Sequence, residues 1–81
     1  MVNVLFAEKF ERQFKKSDSS MKTKIKKQIN KIIQTPEIGK PMMYDRKGTR
    51  EVYVTSFRLS YEYSKEKDIL TFLNISHKDE Q

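Results

Sequence analysis

The 81-residue chain has no cysteine, no tryptophan, only two glycines and two prolines, and a single histidine. Each scarcity excludes something. Without cysteine there is no disulfide, no thiolate zinc site and no cysteine nucleophile. One histidine cannot furnish a histidine-rich metal centre. Glycine and proline are too few for a linker, and an apolar fraction of 36% arranged in patterns argues against disorder. No apolar run approaches the 18 or so residues of a membrane-spanning helix. The opening residues Met1-Val2-Asn3-Val4-Leu5-Phe6 lack a basic leader and meet a charge at Glu8, unlike a signal peptide. No phosphate-loop, zinc-protease, nucleophile-elbow or CxxC motif is present, so neither a metal nor a cofactor is expected. The length allows one domain, residues 1–81, burying roughly 60–65% of the surface its unfolded chain would expose. A deep, multi-layer dinucleotide enzyme is out of reach. The composition is that of a soluble, cytoplasmic, basic domain.

What is plentiful is positive charge. Seventeen Lys or Arg face eleven Asp or Glu, a formal net of +6. The excess is local: residues 1–47 carry 12 basic and 5 acidic side chains, residues 48–81 carry 5 and 6. Such a stripe is the footprint of a polyanion or acidic partner, or else the solvated face of a helix.

Hydrophobic periodicity gives the elements. Residues 1–6 alternate and predict a short strand. Phe6, Phe10 and Phe14 recur every four residues, predicting an amphipathic helix over about Ala7–Lys16. Ser17-Asp18-Ser19-Ser20 supplies candidate N-caps. Met21, Ile25, Ile29, Ile32 and Ile33 then mark a second helix that Pro36 ends by Thr35. The apolar face of this helix is needed for the core, and its anchors are only aliphatic, so it is not a membrane-surface helix. Residues 37–47 read as a loop, with Met42, Met43 and Tyr44 candidates to dip back toward the core, and residues 46–50 as a basic turn. Three strands follow: Glu51–Thr55, Phe57–Ser64 and Ile69–Ser76, the first pair joined through Thr55-Ser56 without a glycine, the second through a polar hairpin loop. The fold class is therefore α+β, in the order β-α-α-β-β-β. A helical hairpin covers one face of a small, largely antiparallel sheet. If the strand after the hairpin neighbours the first, the two run in opposite directions.

An uncovered sheet face bearing cations and aromatics is a natural binding surface. Arg58, out of phase with Phe57, Leu59 and Tyr61, falls on it, and its guanidinium suits phosphate. The plainer alternative pairs Arg58 with a cross-strand acid, Glu62 or Glu51. His77 and Lys78 follow directly on the last strand. His77 is the one side chain whose ordinary pKa suits proton transfer near neutrality, and Lys78 is a second cation. Together these parts fit metal-free RNA cleavage: a base takes the 2′-OH proton, a cation stabilises the phosphorane, and an acid protonates the leaving oxygen. Tyr53, Tyr61 and Tyr63 are candidates to stack on bases, with core packing the alternative for Tyr61 and Tyr63, which share Phe57's phase. Tyr53 is the aromatic expected to be exposed and to stack on bases.

Three stretches resemble the RelE/ParE superfamily of toxin–antitoxin toxins: residues 4–16 its opening strand and first helix, Phe57-Arg58-Leu59-Ser60-Tyr61 its central "Tyr-Arg-x-x-Tyr" strand, and residues 73–80 its strand-to-tail signature. The resemblance spans essentially the whole chain. It implies a small sheet with a helical hairpin and a cognate antitoxin that wraps the toxin. RelE-like members enter the ribosomal A site and cut mRNA, inhibiting translation; ParE-like members poison DNA gyrase. Arg58 matches the phosphate-binding catalytic position of the nucleases, Lys78 falls where they carry a tail Arg, and His77 is the His before it. Lys22, Lys26 and Lys27 on the basic second helix are the expected contacts to ribosomal RNA. The strand before Arg58 departs from the nuclease pattern. It reads Glu51-Val52-Tyr53-Val54, with Lys47 and Arg50, the nearest cations, as its expected RNA contacts, and the family's tail Tyr would fall beyond Gln81. The expectation is a ribosome-dependent, metal-free mRNA endoribonuclease, with a gyrase-inhibiting toxin or a catalytically degenerate RNA- or antitoxin-binding member as alternatives.

Overall fold

The computed structural model describes residues 2–41 and 48–77. The expected residues Met42, Met43, Tyr44, Lys47 and Lys78 lie outside them. The first strand, β1, is Asn3–Phe6 and the first helix, α1, is Glu8–Lys16. Helix α1 starts without a side-chain cap, but Glu8 and Glu11 in its first turn and Lys15 and Lys16 in its last complement the helix dipole. Helix α2, Ser19–Gln34, begins at Asp18, whose carboxylate accepts the Met21 N–H at 2.7 Å. Of the serine-rich join only residues 17 and 18 lie between the helices, and Ser19 and Ser20 already belong to α2. A two-residue strand, β2 (Lys40–Pro41), interrupts the expected loop. Strand β3 is Thr49–Val54, so the expected basic turn is partly strand; β4 is Phe57–Ser64 and β5 is Ile69–His77.

The strands assemble in the order β1-β5-β4-β3-β2. Pairs β3–β4 and β4–β5 are antiparallel, as expected, and the short β2 adds a further antiparallel pair with β3. Strand β1, however, is no neighbour of the strand that directly follows the helical hairpin. It lies parallel to β5, with Val4 opposite Leu70 and Phe6 opposite Phe72. The chain thus crosses the sheet over the helices and returns at the far edge. The Phe6 ring, stacked on Phe10 and Phe72 at 5.6 and 5.5 Å, locks β1 to α1 and β5.

One core joins both layers. Phe10 from α1 and Ile25 and Ile32 from α2 meet Val54, Leu59, Tyr61, Leu70, Phe72 and Ile75 from the sheet. Helix α1 packs on β5 and α2 on β3. Along β5 the inward residues are Leu70, Phe72 and Ile75, a spacing that breaks simple alternation. The register explains it: Ser60 faces Asn74 while Tyr61 faces Phe72, leaving Leu73 as an extra, bulged residue. The turn at Thr55-Ser56 forms without glycine because Thr55 takes a positive φ of 55°. Among the described residues no helix is long and apolar enough to cross a membrane.

Candidate functional site

Strand alternation sorts the side chains of β4 into two sets. Phe57, Leu59, Tyr61 and Tyr63 pack against the core. Arg58, Ser60 and Glu62 project from the opposite face, which no helix covers among the described residues. Arg58 stands directly across from Tyr53 on β3, and Glu51 across from Ser60. Tyr53 is 52% exposed, as expected for a stacking aromatic. Arg58 Nε lies 3.6 Å from Glu51 Oε2, with side-chain exposures of 23% and 14%. The Tyr53 phenol donates to the other carboxylate oxygen of Glu51 at 3.5 Å. The centre of the open face is therefore a guanidinium, a carboxylate and a phenol in one cluster, with Ser60 buried between the strands. Of the two alternatives for Arg58, phosphate ligand or cross-strand ion pair, the pairing with Glu51 is the arrangement present.

His77 lies elsewhere. It pairs with Phe57, edge to face with ring centroids 5.3 Å apart, and so shares the helix-side face of the sheet. Arg58 pairs with the preceding residue, Ser76, on the other face. The register does not bring Arg58 and His77 to a common point. Instead His77 lines a cleft of about 700 Å³ at the sheet's end, beside Lys9, Lys16 and Lys24. Three polar side chains in that wall are already engaged: Gln13 accepts the Ile75 N–H at 2.7 Å, the Ser17 hydroxyl donates to the Gln13 carbonyl at 3.0 Å, and Asp18 caps α2.

The remaining expected RNA contacts separate in the same way. Arg50 pairs with Tyr61 on the inner face, and its Nη1 donates to the carbonyls of Glu37 and Gly39 at 3.0 and 2.8 Å. It ties the loop after α2 to the sheet. Lys22 lies 5.8 Å from the centre of the Phe14 ring, a cation–π distance. Lys26 and Lys15 flank an apolar groove floored by Phe6, Phe10, Phe14 and Ile29. Lys27 is exposed on α2. Lys9, Lys16 and Lys24 were not singled out by sequence reading. Lys9 and Lys16, seven residues apart on one helix, share a face, and that spacing was the available signal. Among the described residues no three His, Cys, Asp or Glu side chains gather as metal ligands.

Comparison with known proteins decides the family. The family model described as "ParE toxin of type II toxin-antitoxin system, parDE" matches residues 4–81. This chain belongs to that family. The toxin's fold is that of several solved relatives. The isolated E. coli RelE toxin superposes with a TM-score of 0.84 at 16% identity, covering 100% of this chain and 88% of RelE. RelE in the intact E. coli RelBE toxin–antitoxin complex gives 0.84 at 17% identity, over 99% and 100% of the two chains. The YoeB/ParE toxin from Agrobacterium tumefaciens gives 0.81 at 18% identity, over 94% and 98%. The comparison with curated proteins returned no match.

Proposed function

We propose that this toxin is a ribosome-dependent, metal-free mRNA endoribonuclease, restrained by a cognate antitoxin. One observation carries the reading. Arg58 is held at the centre of β4 on the face left open by the helices, with the half-exposed Tyr53 ring directly across from it. A strand-borne guanidinium next to an accessible aromatic suits a phosphodiester and the base beside it. In this proposal Arg58 takes the phosphorane charge and Lys78 adds a second cation. The proton-carrier role of His77 requires RNA that wraps the end of the sheet, because the imidazole sits on the other face. The antitoxin partner is carried over from relatives solved as RelBE complexes from E. coli and Mycobacterium tuberculosis.

A gyrase-inhibiting action is the second reading. It is favoured by the ParE family match and by the acid, Glu51, that occupies the strand before Arg58. A translation extract with a defined mRNA separates the two when its 3′ ends are mapped. Codon-positioned cuts that disappear with Arg58→Ala are expected. Intact mRNA together with blocked DNA supercoiling would overturn the nuclease reading in favour of gyrase. No effect in either assay would leave a non-catalytic binding member.

A further inference from the structure

We propose that Glu51 is a built-in competitor for Arg58, so that a phosphodiester engaging the Nε side of this guanidinium has to displace the carboxylate, and that Glu51 thereby tunes the toxin's affinity for RNA. The inference rests on the RNA reading of the same face. Glu51 and Arg58 stand diagonally across β3 and β4, and Glu51 Oε2 lies 3.6 Å from Arg58 Nε. Carboxylate and phosphate make the same demand on a guanidinium: both accept from its planar fork of N–H donors. A phosphate arriving at Arg58 also brings negative charge against Glu51, which must then turn toward solvent. Tyr53 opposes that turn by donating to the second oxygen, Oε1, at 3.5 Å. Both charged side chains are largely shielded, at 23% and 14% exposed, so solvent screens their attraction less than that of a surface pair.

The pair is neutral at long range. Attraction of RNA from a distance falls to the lysine-rich helices, and the sheet face engages only a strand already held at other points. Glu51 is in this sense a specificity-determining residue, favouring a polyanion with several contacts over an isolated phosphate.

The test measures binding of a 2′-O-methyl oligouridylate, which cannot be cut, by fluorescence anisotropy over a salt series. The proteins are the unaltered toxin, Glu51→Gln, Arg58→Ala and the double variant. Glu51→Gln is expected to bind about two- to fivefold tighter. Its log–log salt dependence should steepen by about 0.7, the contribution of one further neutralised phosphate on a single strand. The gain should vanish in the double variant. If the unaltered toxin binds and Glu51→Gln binds no tighter, the competition is overturned while the RNA reading stands. If the gain persists without Arg58, it is a general charge effect and the proposal is also overturned. If no protein binds the oligonucleotide, the proposal and the RNA reading fail together. Thermal melting of each variant identifies a folding defect. Should Glu51→Gln not fold, Tyr53→Phe, which keeps the ring but frees Oε1, is expected to bind up to about twofold tighter, and unchanged or weaker binding overturns the proposal.

Discussion

The Tyr61 hydroxyl donates to the Pro36 carbonyl and accepts the Gly39 N–H, both at 2.8 Å, while its ring is fully buried. A single phenol thus fastens the segment after α2 to the centre of the sheet. Gly39 has to be small here, since a Cβ would come within 2.5 Å of that same hydroxyl oxygen. Tyr61→Phe leaves the ring's packing intact and strands an N–H and a carbonyl. A loss of about 1–3 kcal/mol in urea unfolding is expected. Burial pushes the Tyr61 pKa above its ordinary 10.0, outweighing the opposing pull of the Gly39 hydrogen bond and Arg50. Because the folded-state value is the higher one, the phenol's contribution is fully present below pH 10 and is lost as pH rises through the folded-state pKa. The unaltered toxin should therefore lose more stability than Tyr61→Phe on going above pH 10, and parallel urea curves at pH 8 and above pH 10 check this. Core membership of Tyr61 was legible from its phase with Phe57. Its hydrogen bonds were not, because both partners lie more than twenty residues away. At the candidate site, Arg58's face and Glu51 as its partner were both within reach of strand alternation. The separation of His77 from Arg58 was not, because it depends on the β4–β5 register, which no local pattern encodes.

Among the elements, α2 was the most legible, because Met21, Ile25, Ile29, Ile32 and Ile33 mark one face and Pro36 its end. Its start rests on Asp18, and Asp18→Ala should lower stability by about 0.5–2 kcal/mol, read from the thermal midpoint. The β3–β4 hairpin was less legible, lacking a glycine signal. Val54 pairs with Phe57, so the loop is just Thr55 and Ser56, and only the first of them has a positive φ. That is the pattern of a type II′ turn, whose first central position suits glycine. A β-branched residue there is strained, and its hydroxyl bond to Val54 O at 2.6 Å is a small compensation. Thr55→Gly should therefore stabilise the toxin by about 1 kcal/mol and raise its melting temperature; a fall would show that the turn is not strained. The apolar run of β5 concealed its bulge, since Leu73 is as hydrophobic as its inward neighbours.

For the whole molecule, the +6 net charge resides mainly on the helices, and the sheet's central cation is balanced by Glu51. RNA affinity should fall steeply with salt, and salt-insensitive binding would return the lysines to a plain solvated face. Their positions sharpen this. Replacing Lys9, Lys16 and Lys24 by alanine removes the described lysines around the His77 cleft, whereas replacing Lys22, Lys26 and Lys27 removes one over the Phe14 ring, one beside the apolar groove and one exposed on α2. If the cleft guides RNA, the first set should flatten the salt slope more than the second in the anisotropy assay. The placement of β1 was the least legible feature, because a strand of four residues carries no signal for its neighbour. Its pairing with β5 joins the first of the described strands to the last. Synthesis runs from the N-terminus at about 5–20 residues per second. During that interval the residues of β1 wait with half their aromatic contacts missing, until Phe72 has been made. The sheet that presents Arg58 is thus completed last, and a truncated chain ending before β5 would carry the toxin's helices without its assembled open face.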